Sequence, residues 1–451
     1  MNSTICAIST SIGVGAIGII RVSGPKSIEI VNSIFKGKNL LEVDSHTINY
    51  GHIVYNNEII DEVLVSVMRA PKTFTMEDVV EINTHGGPAT IKKILEILLL
   101  SGCVAAEPGE FTKRAFLNGR IDLIEAESVQ DLISSESEKA RKLAINGLTG
   151  NLSEKIKNIR KEIMDVQANI EVNIDYPEYE EGEKYTKDSL LPRINKINIM
   201  LTTLLNNAEN GKLIKNGINT ALLGKPNVGK SSILNAFLEE EKAIVTNIPG
   251  TTRDIVEGKY VLDGIILNLI DTAGIRETDD VVEKIGVEKS KKISLDADLI
   301  IYVISLEDGI SKEDEEFIKL NKDKKIIIFV NKNDLSKNKI KIDNISEDSI
   351  IYGNTIKKDG LDGLKNKIRE IFNLERIENS NYTFLFNSRQ ISLIKKAQER
   401  INNIINNIDI LPIDVFTIDL RDAYDFLGEI IGETYKEDLL DEMFSKFCLG
   451  K

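Results

Sequence analysis

Gly224-Lys225-Pro226-Asn227-Val228-Gly229-Lys230-Ser231 decides how the second half of this chain folds. Its spacing is G-x-x-x-x-G-K-S. It follows the apolar run Ile218–Leu223 and precedes a helical pattern over Ser232–Leu238, the strand–loop–helix setting in which such a loop cradles phosphate. Glycines at 224 and 229 let the backbone curl so that its N–H groups point inward at phosphate oxygens. The helix that follows offers its positive end to the same anion. Lys230 is expected to reach the β and γ phosphates, and the Ser231 hydroxyl to ligate magnesium.

Two motifs downstream narrow the nucleotide. Asp271-Thr272-Ala273-Gly274 follows the apolar run Ile265–Ile270. Asp271 can hold the magnesium shell through water, and the Gly274 N–H can sense the γ-phosphate. Asn331-Lys332-Asn333-Asp334 follows the run from Lys325 to Val330. The Asp334 carboxylate can accept from guanine N1–H and the exocyclic amine, and adenine offers neither donor there. Together the three motifs imply a guanine nucleotide. Gly250-Thr251-Thr252-Arg253-Asp254 supplies a switch threonine that binds magnesium when GTP is present. Where Ras-like enzymes carry a water-orienting glutamine, this chain has Ile275, which has no polar atom. Glu277, Asp279, Asp280 and Glu283 lie just downstream, and spacing does not choose among them.

Outward from the loop, strand-like apolar runs at Ile218–Leu223, Ile265–Ile270, Leu299–Ser305 and Lys325–Val330 suit a mostly parallel sheet buried on both faces. Before it, residues 123–210 mix Leu, Ile and Ala with Glu, Lys and Gln and read as helical, interrupted by an acidic, proline-bearing loop at Asp175–Gly182. After residue 380 the helical texture returns, over Ser388–Ile408 and Asp414–Gly432. Residues 1–119 read as mixed α/β, with β-rich runs at Ile17–Val22, Glu62–Met68 and Val79–Asn83 and a helix over Ile91–Ser101. The simplest architecture is an α/β domain inserted between two parts of a helical domain.

Composition bounds the function class. With 451 residues, several domains are expected. A net charge of −14 argues against broad non-specific nucleic-acid binding, though not against a local basic surface for one RNA. No stretch approaches the ~20 apolar residues of a membrane span, so no membrane partner is expected. The N-terminus shows no secretory pattern. Cys6, Cys103 and Cys448 are odd in number and far apart, which fits a reducing cytoplasm better than a disulfide framework.

From end to end the chain resembles the MnmE (TrmE) family of tRNA-modification GTPases. The resemblance rests on Gly18-Ile19-Ile20-Arg21-Val22-Ser23-Gly24, on Phe74-Thr75-Met76-Glu77-Asp78-Val79-Val80-Glu81, on His85-Gly86-Gly87-Pro88 and on the stretch Pro108 to Gly119. The inserted G domain and the terminal Phe447-Cys448-Leu449-Gly450-Lys451 complete it. It implies a multidomain α+β and α/β fold: a folate-binding-like dimerisation domain over 1–119, a discontinuous helical domain over 120–216 and 380–451, and a Ras-like phosphate-loop G domain over 217–379. It implies a homodimer that works with an MnmG-like flavoprotein, as a heterotetramer, to install a (carboxymethyl)aminomethyl-type group at carbon 5 of the wobble uridine of certain tRNAs.

Site residues carried over by the resemblance are these. A 5-formyltetrahydrofolate-type compound would meet Arg21, Glu81, Arg120 and Lys451; position 120 is a lysine in the family pattern, and arginine keeps its charge on a planar fork. Cys448 matches the terminal cysteine to which activity is attributed; a lone cysteine is otherwise a small hydrophobe. Asn227, Val228, Gly229, Lys230, Ser231, Ser232, the run Thr246-Asn247-Ile248-Pro249-Gly250-Thr251-Thr252, Asp271 to Gly274, Asn331, Lys332 and Asp334 match the GTP contacts. Ser231 and Thr252 match the Mg2+ ligands. Asn227, Thr246, Ile248 through its carbonyl and Thr251 match the ligands of a K+ ion that replaces an arginine finger. Glu283 matches the acid that orients water. Asn354-Thr355 stands where a guanine-contacting Ser-Ala pair is expected. A ribosome-assembly or RNA-binding switch GTPase is the main alternative, but such proteins append small basic domains rather than this N-terminal region and terminus. A scaffold that binds GTP without hydrolysing it rests on Ile275 alone.

Overall fold

The computed structural model describes residues 3–175, 186–240, 243–244, 258–271, 293–332, 346–355, 359–374, 387–435 and 437–450. The chain divides into two compact units. The first comprises residues 1–133, 146–202 and 389–451, and the second residues 134–145 and 203–388.

In the first unit, seven strands form one sheet. They are β1 (Ile5–Ile8), β2 (Ile17–Ser23), β3 (Phe35–Lys36), β4 (Thr47–Tyr55), β5 (Glu58–Met68), β6 (Val79–His85) and β7 (Val104–Ala105), in the order β3-β4-β5-β6-β2-β1-β7. All neighbours are antiparallel except β1 and β7. The expected runs at 17–22, 62–68 and 79–83 are strands β2, β5 and β6. β5 shows why: Val63, Val65 and Val67 are buried while Leu64 between them is exposed, the period-two signature of a half-buried strand. Helices α1 (Ser27–Ile34) and α2 (Pro88–Leu100) cover the sheet, and Ile28, Val31, Ile91, Ile94 and Ile97 close the core over Ile20, Val22, Val80 and Ile82.

Helices α3 (Glu110–Leu117) and α4 (Leu123–Ser134) follow, then α5 (Glu138–Leu148) and α6 (Asn151–Asp175). The helical region read over 123–210 has a further break that the texture does not show, between α4 and α5. Ser137 ends the run: its hydroxyl accepts from the Ala140 N–H (3.2 Å) and caps α5. Helices α7 (Lys187–Asn216), α11 (Ser388–Asn407), α12 (Phe416–Ile431) and α13 (Glu437–Phe444) account for the remaining helical stretches on either side of the inserted sheet. The loop read at 175–182 falls outside the described residues from 176 on.

The second unit carries a sheet of β8 (Ile218–Leu223), β9 (Ala243–Ile244), β10 (Gly258–Leu262), β11 (Ile265–Asp271), β12 (Leu299–Ser305), β13 (Ile326–Asn331) and β14 (Ile350–Tyr352), ordered β14-β13-β12-β8-β11-β10-β9. β14, β13, β12, β8 and β11 are parallel, and β10 and β9 add an antiparallel edge. Every residue of β12 is buried, as the unbroken apolar run requires for a strand covered on both faces. Helices α8 (Lys230–Leu238), α9 (Lys312–Leu320) and α10 (Leu361–Phe372) connect the strands. The β9–β10 edge has no expectation in the apolar runs, because β9 is two residues long and β10 opens on Gly258-Lys259.

Candidate functional site: a nucleotide cradle and a second site at the C-terminus

β8 ends at Leu223 and α8 begins at Lys230, so residues 224–229 form the loop between a central strand and a helix N-terminus. Ligands of open α/β sheets collect at such strand ends. The loop is curled by left-handed residues: Gly224 at φ +137°, Asn227 at +63° and Gly229 at +105°. Asparagine tolerates that region better than most residues. At Gly224 a Cβ would stand 2.2 Å from the Val303 carbonyl oxygen, so no larger residue fits. Lys230 is buried, and its ammonium donates to the carbonyls of Gly224 (2.9 Å) and Lys225 (2.7 Å). The cation is therefore already folded back over the loop. Positive backbone ends, a left-handed curl and an enclosed ammonium fit an oligophosphate. Ser231 and Ser232, in the first turn of α8, are exposed.

Asn331 ends β13. Its side chain is buried and makes two bonds: Nδ2 donates to the Val228 carbonyl (2.8 Å), and Oδ1 accepts from the Thr355 N–H (3.1 Å). The sequence motif marks Asn331 as part of a base-reading element. Its bonds also make it a tie between the phosphate loop and the Asn354-Thr355 turn, both residues of which are buried. A motif cannot announce this role, because the partners are backbone atoms. Lys332 stands next to it at φ +60°, with its ammonium 3.5 Å from Glu307. Asp271 ends β11 in register with Leu222, beside the strand that feeds the loop. The structure thus brings residues 224–232, 271, 331, 332, 354 and 355 together at one end of one sheet. Thr246 to Thr252, Thr272 to Gly274, Ile275, Glu283 and Asp334 lie outside the described residues.

Beneath the loop, Tyr302 on β12 donates to Asp314 (2.8 Å), which also accepts from the Ser311 N–H and hydroxyl, 2.8 Å each. Lys225 reaches the same carboxylate at 3.6 Å. Burial pushes the Asp314 carboxyl up, but the Ser311 and Tyr302 hydrogen bonds and the Lys225 charge hold it below the usual aspartate range. No sequence motif pointed to this group; its one signal is the S-x-x-D capping box at the start of α9.

The first unit holds a second constellation. Arg21 on β2 lies directly across from Glu81 on β6, and its Nε (2.9 Å) and Nη2 (2.7 Å) both donate to Glu81 Oε1. Arg21 Nη1 also reaches the Gly450 carbonyl (3.5 Å), as does the Ser9 hydroxyl (3.1 Å). Gly450 sits at φ +84°, close against the Ile8 carbonyl. The C-terminal segment is thereby docked on β1, and the Gly109 N–H donates to the Cys448 carbonyl (3.3 Å). Two guanidiniums lie near the Phe74 ring: Arg21 at 5.8 Å and Arg120 at 4.8 Å. Arg120 also donates to the Phe74 carbonyl (3.2 Å) and, with Phe74, Lys72 and Met76, lines a cavity of about 520 Å³. Arg21, Glu81 and Arg120 therefore converge, although 99 positions of sequence separate the first from the last (120 − 21). Lys451 lies outside the described residues, one position beyond Gly450. Cys448 is exposed, with Gln130 Nε2 at 3.8 Å from its sulfur.

Phe74 was not singled out as a contact by sequence. Its loop is held by a buried cation. Arg114 is 1% exposed and bonds Glu77 (3.1 Å), Glu110 (2.8 Å) and the Ser3 carbonyl (2.8 Å). Glu77 accepts in turn from Ser23 (2.8 Å).

A phosphate loop, a strand-end N-K-x-D motif tied to it and a sheet of this order define a phosphate-loop GTPase. The family model for the MnmE helical domain matches residues 123–448, and that for the N-terminus of the GTP-binding protein TrmE matches residues 4–120. This chain belongs to the MnmE (TrmE) family of tRNA modification GTPases. The tRNA modification GTPase MnmE of Streptococcus thermophilus (strain CNRZ 1066) is 50% identical to it over 451 residues, covering 99% of this chain and 98% of that protein. The protein of the same name from Staphylococcus aureus (strain Newman) is 48% identical over 456 residues, covering 99% of each. Among solved structures, the G domain of the T. maritima FeoB iron transporter is 27% identical and covers 34% of this chain and 97% of its own, with a TM-score of 0.25. The chain is accordingly a GTP-binding enzyme of tRNA modification. Among the described residues, no helix is long and apolar enough to cross a membrane, and no cluster of His, Cys, Asp and Glu is poised to hold a metal.

Proposed function

We propose that this chain is a potassium-stimulated, magnesium-dependent GTPase of the cytoplasm. As a homodimer paired with an MnmG-like flavoprotein, it modifies carbon 5 of the wobble uridine of tRNA to a (carboxymethyl)aminomethyl-type group. The observation that carries this reading is the docking of the Gly450 carbonyl against Arg21, beside Glu81 and with Arg120 across the Phe74 ring. A GTPase switch alone has no use for such a site. It offers two cations near one aromatic ring, which suits a planar ligand bearing carboxylates. Arg21, Glu81, Arg120 and Lys451 would hold a 5-formyltetrahydrofolate-type compound, which supplies a one-carbon unit when bound. Cys448, exposed on the same terminal segment, is the residue to which the reading attributes activity there.

In the G domain, the backbone of residues 224–229 binds phosphate, and Lys230 leaves the Gly224 and Lys225 carbonyls to meet it. Ser231 and Thr252 would hold Mg2+. Asn227, already left-handed, would present its amide oxygen to K+ together with Thr246, Ile248 and Thr251, and such a cation stabilises the charge that develops at the β–γ bridge. Glu283 orients water, since Ile275 has no polar atom for that task. Asp334 selects guanine.

Two measurements test the reading. Hydrolysis is expected to run faster in potassium than in sodium at equal ionic strength, and equal rates would remove the potassium site. Nucleosides from tRNA of cells lacking the chain are expected to lose the modified wobble uridine, and to regain it when the wild-type chain is restored. An unchanged nucleoside profile would defeat the tRNA reading while leaving the GTPase intact.

A further inference from the structure

The edge strand β9 is joined to β10 by two register pairs, Lys259 with Ile244 and Tyr260 with Ala243. Residues 245–257 connect these strands, and they include Thr246, Ile248, Thr251 and Thr252. So short an edge strand pairs weakly unless side chains fix its neighbour. On one face, buried Tyr260 does so: its hydroxyl donates to Glu240 (2.7 Å), and its ring meets Phe237 edge-on at 4.9 Å. Neighbouring side chains of a strand point to opposite faces. Lys259, on the other face, donates to both carboxylate oxygens of Glu136, at 2.6 Å each.

Glu136 belongs to the turn between α4 and α5, far from the nucleotide motifs in sequence. The segment 134–145 nevertheless groups with the sheet of the second unit, while its chain neighbours on both sides group with the first. Glu136 is well anchored there. The Ser137 cap follows it directly, and the Lys139 side chain lies alongside Gly264, in the β10–β11 turn. The segment therefore follows the β10–β11 hairpin from its base to its turn.

We propose that Glu136 is a positioning residue for GTP hydrolysis: by clamping Lys259 it fixes the base of the loop that carries the switch threonines. Hydrolysis then depends on a carboxylate outside the stretch, 217–379, that the family resemblance gives as the G domain. The clamp also ties the turn between α4 and α5 directly to β10. The proposal rests on the reading that residues 245–257 carry the switch.

The test uses the full-length chain with Lys259→Glu, Glu136→Lys and the double reversal. Each single reversal sets like charges against each other, and kcat for GTP is expected to fall at least fivefold with KM changed less than twofold. The double variant re-forms the pair in opposite sense and is expected to recover kcat to within twofold of the parent. If a reversal does not fold, Lys259→Met and Glu136→Gln serve instead. Each should lower kcat about two- to fivefold, the range for a partly exposed ion pair, and the two together no further than either alone. Losses that multiply in the double variant, or single variants with parental kcat, would overturn the proposal. Thr252→Ala tests the underlying reading separately, since it should abolish hydrolysis. If it hydrolyses GTP normally, the assignment of the switch falls, while the reciprocal rescue still decides the clamp.

Discussion

Replacing Asn331 by alanine tests whether this residue holds the nucleotide site together before any base arrives. In the native protein its amide pairs two buried backbone groups, the Val228 carbonyl at 2.8 Å and the Thr355 N–H at 3.1 Å. Alanine leaves both unpaired in a place where Asn331 itself is only 3% exposed. A buried polar group without a partner costs about 1–3 kcal/mol. Two of them put the lower bound of the loss near 2 kcal/mol. In a nucleotide-free thermal melt, the G-domain transition should then fall by about 4–8 °C, at the 2–4 °C per kcal/mol expected for a domain of this size. Measuring without nucleotide separates the tie from any contact to guanine. With nucleotide, the loosened phosphate loop should weaken binding of fluorescent GDP by roughly 30-fold, the factor that corresponds to 2 kcal/mol. Asn331→Asp sharpens the test. It keeps an acceptor for Thr355, removes the donor to Val228 and sets a carboxylate against a carbonyl oxygen, so it should do no better than alanine. An alanine variant that melts within 1 °C of the parent and binds GDP within threefold would refute the reasoning.

Gly224→Ala places a methyl 2.2 Å from the Val303 carbonyl at a φ of +137°, so GTP binding and hydrolysis should both be lost in a filter-binding and phosphate-release assay, and retained binding would show that the loop can move aside. Arg114→Met strands Glu77 and Glu110 around a nearly inaccessible site and should lower the stability of the N-terminal part by about 3–5 kcal/mol, read by calorimetry; an unchanged first transition would mean water replaces the cation. Asp314 has a lowered carboxyl pKa, so its contribution is present above the ordinary aspartate range and is lost as pH falls through the folded value. Asp314→Asn should therefore be less stable than the parent near neutral pH, with the gap closing only once the pH has fallen below the ordinary aspartate range; a gap independent of pH would assign the loss to hydrogen bonding rather than charge.

What was legible in the sequence divides along physical lines. β8, β11, β12 and β13 match the apolar runs closely, because strands buried on both faces must be continuously apolar and nothing polar interrupts the signal. The helical region after residue 123 was legible as helix but its break between α4 and α5 was not, since the break comes from one serine cap within a composition that is helical throughout. The nucleotide motifs were legible as chemistry, because phosphate and guanine demand fixed residue types at fixed spacing. Asn331 as a tie was not, nor Asp314 under Lys225, nor Phe74 between two arginines. Each acts on backbone or on a neighbour distant in sequence, and such relations have no spacing to read.

The second site shows why the terminus belongs to the N-terminal sheet. Arg21 and Glu81 face each other across adjacent strands, so their ion pair alone would form in any sheet of this register. What turns the pair into a site is the third partner. The Gly450 carbonyl takes Arg21 Nη1 and the Ser9 hydroxyl, and that carbonyl arrives from the far end of the chain. It can arrive there only because α13 and Phe447 pack on α3 and α4, where Phe444, Phe447 and Leu440 share a core with Phe116, Leu123 and Ala126. Gly109 completes the approach: it starts α3 in the left-handed region and donates to the Cys448 carbonyl. The terminal residues are thus placed by an apolar cluster and fixed by two backbone carbonyls. Truncation after Phe447 should leave that cluster and the G domain folded while removing the Gly450 contact to Arg21. Such a chain is expected to hydrolyse GTP at the parental rate and to fail in restoring the tRNA modification. Full restoration by the truncated chain would mean that the docked terminus only covers the sheet.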